Sequence, residues 1–124
     1  MRKFFLPVFL GVALGLAALP ASAGDILAKG SFTGASDHVT TGGVHVTAET
    51  VELQDDFSLD GAPDPKVGFG KDGVYDSDTT LAVLESNTGA QTYQVPDGVD
   101  PSAYNEVYIW CEEFSVPLGV AKLQ

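Results

Sequence analysis

Val107-Tyr108-Ile109-Trp110-Cys111 is the densest apolar run beyond residue 24. It is short, β-branched and aromatic, and apolar on both faces, which suits a central strand flanked on either side. Upstream runs alternate with a period of two. Val44-His45-Val46-Thr47-Ala48 would turn Val44, Val46 and Ala48 towards a core, and Val51-Glu52-Leu53 continues the style. Leu81-Ala82-Val83-Leu84 and Gln91-Thr92-Tyr93-Gln94-Val95 are further candidate strands. Between them stand Thr41-Gly42-Gly43, Asp60-Gly61-Ala62-Pro63-Asp64-Pro65, Lys71-Asp72-Gly73, Asn87-Thr88-Gly89 and Pro96-Asp97-Gly98, all turn chemistry. Such close breaks leave no room for long helices. The pattern predicts an all-β domain, an antiparallel sandwich or barrel-like fold of short strands, with one helical turn at Pro101-Ser102-Ala103-Tyr104.

The chain has 124 residues, with 17 Asp or Glu against 6 Lys or Arg, 14 Gly and a single Cys. That length holds one domain. A net charge of −11 excludes a nucleic-acid binder, which needs a basic face.

Arg2 and Lys3 precede an apolar run from Phe4 to Leu19 and then Pro20-Ala21-Ser22-Ala23. A basic start, an apolar middle and an Ala-x-Ala ending predict a helical signal peptide over residues 1–23, cleaved before Gly24. The mature domain, residues 24–124, then lies in the periplasm or outside the cell, with no stable membrane span. It loses Arg2 and Lys3 and keeps all 17 acids against Lys29, Lys66, Lys71 and Lys122, a charge of −13. This balance favours cationic partners and repels acidic substrates.

Cys111 cannot form an internal disulfide. A lone thiol in an exported protein suggests an intermolecular partner, a metal ligand or a redox group. Yet Cys111 shares strand parity with Val107 and Ile109, which points it into the core, where free cysteine packs as a small hydrophobe. His38 and His45 are the only histidines. Imidazole suits zinc, copper and iron, but no His-x-x-x-His, Cys-x-x-Cys or haem-attachment pattern is present. The acidic stretch Asp72–Asp78 lacks the glycine and terminal glutamate of an EF-hand calcium loop. No motif therefore selects among copper, iron and calcium, and the cofactor is left open. Gly-x-Ser-x-Gly, a phosphate-cradling loop and a zinc-protease helix are all missing, which argues against a hydrolase or transferase.

Several stretches match a known family in order. They are Gly30-Ser31-Phe32, His38-Val39-Thr40-Thr41-Gly42, Val51-Glu52-Leu53 with Asp56-Phe57, Gly61-Ala62-Pro63-Asp64-Pro65-Lys66-Val67, and Gly89-Ala90-Gln91-Thr92-Tyr93-Gln94-Val95-Pro96. The most specific is the ending Val107-Tyr108-Ile109-Trp110-Cys111-Glu112-Glu113-Phe114-Ser115-Val116. Through them the chain resembles the electron-transfer DM domain family, the DM-thirteen domain, over nearly all of residues 27–123. Its loop Gly61-Ala62-Pro63-Asp64 is one residue longer than the family's usual Gly-Pro-Asp. The resemblance implies a β-rich fold and an electron-transfer role, since such domains occur beside catecholamine-binding-type domains and b-type cytochromes. It also implies that Cys111 is the redox group.

The leading expectation is thus an exported module with a redox role centred on Cys111 and a redox or envelope protein as partner. If a metal takes part, His38 is the first ligand beside the thiol and Asp64 the second. The alternative is a non-catalytic binding or structural module of the cell envelope, with Cys111, Trp110 and Tyr108 in the core and acidic loops meeting a cationic or calcium-bearing partner.

Overall fold

The computed structural model describes residues 24–124, so the signal peptide expected over 1–23 lies outside the described residues. The strands are β1 (Ile26–Gly34), β2 (Thr40–Thr41), β3 (Gly43–Thr47), β4 (Thr50–Leu53), β5 (Ser58–Leu59) and β6 (Pro65–Lys71). They continue with β7 (Val74–Tyr75), β8 (Ala82–Val83), β9 (Gln91–Gln94), β10 (Glu106–Cys111) and β11 (Val116–Lys122). Two single 3₁₀ turns, Ser77–Thr79 and Pro101–Ala103, complete the regular structure. The second is the helical turn expected from Pro101; the first has no sequence forewarning.

Nine strands form one antiparallel sheet in the order β7-β6-β10-β11-β1-β3-β4-β9, with β8 also paired to β6. As its composition requires, β10 is central, paired with β6 on one side and β11 on the other. The long strand β1 joins the two halves: Ile26–Ser31 pair with β3, and Phe32–Gly34 pair with β11. The sheet curls about this strand into a half-barrel, and the two halves face each other across the core. Inside lie Val44, Val46, Val51 and Leu53 from β3 and β4, against Val67, Phe69, Val107, Ile109 and Cys111 from β6 and β10.

The β2–β5 ribbon packs across β11. The buried Thr40 hydroxyl donates to the Leu118 carbonyl at 2.8 Å. Residues 84–90 carry the chain from β8 to β9, and the Glu85 amide donates to the Tyr93 phenol at 2.9 Å. The expected alternation through Ala48 stops one residue early. β3 ends at Thr47, and Ala48 is exposed in the tight turn to β4, where the Thr47 hydroxyl accepts from the amides of Glu49 and Thr50. That local side-chain bond ends the strand because it gives the backbone an alternative to the ladder.

Candidate functional site

Strand β10 divides its side chains by parity. Val107 and Ile109 are fully buried and Cys111 is 1% exposed, all facing the core. Glu106, Tyr108 and Trp110 point to the outer face. Tyr108 is buried at 3% exposure and Trp110 half-buried, but on the other face of the sheet from the cluster that holds Cys111, because successive side chains of a strand face opposite ways.

Cys111 is the last residue of β10, paired with Pro65 of β6 and Val116 of β11. Its thiol donates to the Pro63 carbonyl at 3.3 Å, and the next amide, Glu112, donates to the Asp64 carbonyl at 3.1 Å. The loop between β5 and β6 thus closes over the thiol. Asp64 holds a left-handed backbone (φ 49°), and its carboxylate forms an ion pair with Lys66 at 3.1 Å.

Neither histidine is hydrogen-bonded to this thiol. His38 Nδ1 lies 2.9 Å from Asp60 Oδ1, while Asp60 Oδ2 accepts from the Val39 amide at 3.0 Å. These bonds, the imidazole first, hold the Asp60 carboxyl below its usual range. His38 therefore joins β2 to the start of the β5–β6 loop through Asp60, and Asp64 joins the end of that loop to β6 through Lys66. His45 is half-buried on the outer face, opposite Lys29 of β1 and Glu52 of β4. Among the described residues, no three His, Cys, Asp or Glu side chains gather as metal ligands would.

A second feature lies on the other side of the sheet. Tyr75 stacks on Trp110 with ring centroids 4.4 Å apart and planes 13° from parallel, and Tyr108 stands 5.4 Å from Tyr75. Glycines in β6 make this possible. A Cβ at Gly68 would come within 2.8 Å of the Tyr75 ring, and one at Gly70 within 2.3 Å of Tyr108. Aromatic rings that cover strand glycines restore the packing those glycines lack. Burial and the neighbouring Glu106 carboxylate push the Tyr108 phenol up to about 12. Glu106, 5% exposed, accepts from the Tyr108 hydroxyl at 3.1 Å and from the Gly73 amide at 2.9 Å. The rings floor an open groove of about 1190 Å³ that also reaches Asn105, Lys122 and Gln124. Sequence reading missed this site. The available signal was Tyr108-x-Trp110 at one parity beside Gly68-x-Gly70, a pattern of large residues facing small ones.

No helix among the described residues is long and apolar enough to cross a membrane. No curated protein and no solved structure matches the chain. A family model described as Electron transfer DM13 matches residues 31–123, nearly all of the described domain and Cys111 with it.

Proposed function

The chain belongs to the electron transfer DM13 family, and from that membership we propose that it is an exported single-domain module in which Cys111 is the redox group. The observation that carries this reading is the family match itself, which spans the thiol and the loop over it. The placement of Cys111 supports it. The thiol stands at a strand end and is covered by the loop from Asp60 to Asp64, where two residues, Gly61 (φ 106°) and Asp64 (φ 49°), take left-handed backbone. Loop opening is a smaller event than unfolding, because local openings span a wide range below the global stability.

With the loop displaced, the Cys111 sulfur attacks a disulfide of an envelope partner. A bond to Cys111 forms, the partner's S–S bond breaks, and the released partner sulfur takes the proton that Cys111 loses. A small external thiol then attacks the Cys111 sulfur of the mixed disulfide, and its proton goes to the partner's departing second sulfur. Cys111 is left in a disulfide with the small thiol, and the two thiols have together passed two electrons to the partner.

The test is modification of Cys111 by a thiol reagent in native buffer, set against the global unfolding rate. Labelling much faster than unfolding supports the redox reading. Labelling at the unfolding rate overturns it, and the second reading takes its place: a non-catalytic envelope module whose thiol is core. One observation favours that alternative, namely the 1% exposure of Cys111 within the main hydrophobic cluster.

A further inference from the structure

Each of the four tyrosines gives its phenol a hydrogen-bond partner, and the partners differ in what they can do with a proton. Tyr75 donates to the Thr80 hydroxyl at 2.7 Å, which in turn donates to the Ser77 carbonyl. Tyr93 donates to the side-chain carbonyl of Gln91. Neither a hydroxyl nor an amide keeps an added proton at neutral pH. Tyr104 and Tyr108 instead donate to carboxylates, Asp76 at 2.9 Å and Glu106 at 3.1 Å. Of these two pairs, only Tyr108–Glu106 stands beside Trp110. The Tyr108 ring meets the indole edge to face with centroids 6.4 Å apart, whereas Tyr104 stacks on Phe69 of the core. Tyr108 and Glu106 are both buried, and the Gly73 amide fixes the accepting Glu106 oxygen from the other side at 2.9 Å.

We propose that Tyr108 is a redox-active residue: a one-electron oxidant takes an electron from Trp110, and Tyr108 refills the indole while passing its phenolic proton to Glu106. The oxidant is a radical or metal centre strong enough to oxidise indole. It gains one electron, and the Trp110 radical cation regains one. Tyr108 loses one electron and one proton and ends as a neutral phenoxyl radical, with Glu106 as the carboxylic acid. Trp110 is half-buried and lines the open groove, which leaves it within reach of the oxidant. The two losses from Tyr108 are coupled by burial. With its phenol pushed up to about 12, Tyr108 holds its proton at neutral pH. Removing the electron alone would leave a positive charge in a desolvated site, at high cost. A proton acceptor within hydrogen-bond reach removes that cost. Tyr75 stacks closer to Trp110, at 4.4 Å, yet Thr80 gives it no base, so the radical settles on Tyr108. Cys111 takes no part, since its thiol lies on the other face of the sheet. Slow labelling of that thiol would therefore leave this proposal standing.

Pulse radiolysis of the purified protein in azide solution supplies the azide radical, a one-electron oxidant of indole. Trp110 is the only tryptophan, so the indole radical band reports on this residue alone. The band should decay at the rate at which the phenoxyl radical band grows, independently of protein concentration and more slowly in heavy water. Tyr108→Phe should abolish the growth and Tyr75→Phe should leave it. Glu106→Gln should slow it roughly 100-fold, the effect of losing a positioned proton acceptor. Phenoxyl growth that survives in Tyr108→Phe or stops in Tyr75→Phe overturns the proposal. An unchanged rate in Glu106→Gln, an equal rate in heavy water, or no phenoxyl growth in the parent protein overturns it equally. Circular dichroism shows whether each variant is folded, and the heavy-water comparison on the parent protein decides the proton step even where Glu106→Gln does not fold.

Discussion

The Cys111 thiol donates to the carbonyl oxygen of Pro63 at 3.3 Å, tying the end of β10 to the loop that enters β6. One bond thus joins the core to the part of the surface where the family resemblance has its extra residue. The same geometry makes Cys111 a packing residue held beneath that loop.

Cys111→Ala removes a buried sulfur and leaves the Pro63 carbonyl without its donor. A loss of roughly 1–3 kcal/mol is expected. Urea denaturation should show a lower midpoint with an unchanged slope, which marks a change of stability rather than of compactness. An unaltered midpoint would show that the site relaxes fully around the smaller side chain.

Gly70→Ala places a methyl group 2.3 Å from the Tyr108 ring and 2.5 Å from the Val74 carbonyl. The carbonyl is backbone and cannot swing aside, so overpacking should destabilise by about 1–3 kcal/mol. Because the displaced ring belongs to the aromatic cluster, Trp110 fluorescence should shift in the folded variant as well. Gly98→Ala is the useful contrast. Nothing lies within 4 Å of a Cβ there, and only its positive φ of 92° resists the change, so the loss should be limited to about 1–2 kcal/mol of backbone strain with no change in fluorescence.

Acid should weaken the His38–Asp60 contact. Asp60 titrates below its usual 3.8 in the fold, so the unfolded chain takes up its proton first as the pH falls. The contribution is complete above the ordinary carboxylate range and is lost as the pH drops through the lowered folded value. Melting curves between neutral pH and strong acid should show a smaller acid-induced decline in Asp60→Asn than in the parent protein. An identical decline would assign the acid sensitivity to other carboxylates.

At alkaline pH the sign reverses. All four tyrosines, Tyr75, Tyr93, Tyr104 and Tyr108, are raised above the usual 10, Tyr108 to about 12. The unfolded chain therefore loses phenolic protons first, and stability is present below pH 10 and falls away between about 10 and 12. Phenolate absorbance of the folded protein should lag behind that of the urea-unfolded chain. Tyr108→Phe should flatten the alkaline decline, and a folded titration that overlays the unfolded one would refute the assignment.

Local pattern was enough for the fold class and for several of its parts. Val107 to Cys111 read as a central strand because only a doubly covered strand is apolar on both faces, and parity alone turned Cys111 inward. Glycine and proline punctuation ruled out long helices. Strands β1, β6 and β11 were illegible by the same means. Gly30 and Gly34, Gly68 and Gly70, and Pro117 and Gly119 lower their strand propensity, and what makes them strands is a neighbour: the Tyr75 ring over Gly68, the Lys122 carbonyl against Gly30, the Thr40 methyl against Gly119.

The candidate sites divide in the same way. Sequence named Cys111, His38 and Asp64, but the partners of the last two, Asp60 and Lys66, and the Pro63 carbonyl that holds the thiol emerge only from the folded loop. The aromatic cluster is more dependent still. Tyr75, Tyr108 and Trp110 meet because β6 pairs with β7 on one side and β10 on the other. By itself the sequence determined that the domain from residue 24 on is built of strands and which side of its central strand faces inward, since a period of two is a local property. Only the tertiary structure decided which strands become neighbours, because strand pairing joins residues far apart in the chain through backbone groups that every residue shares.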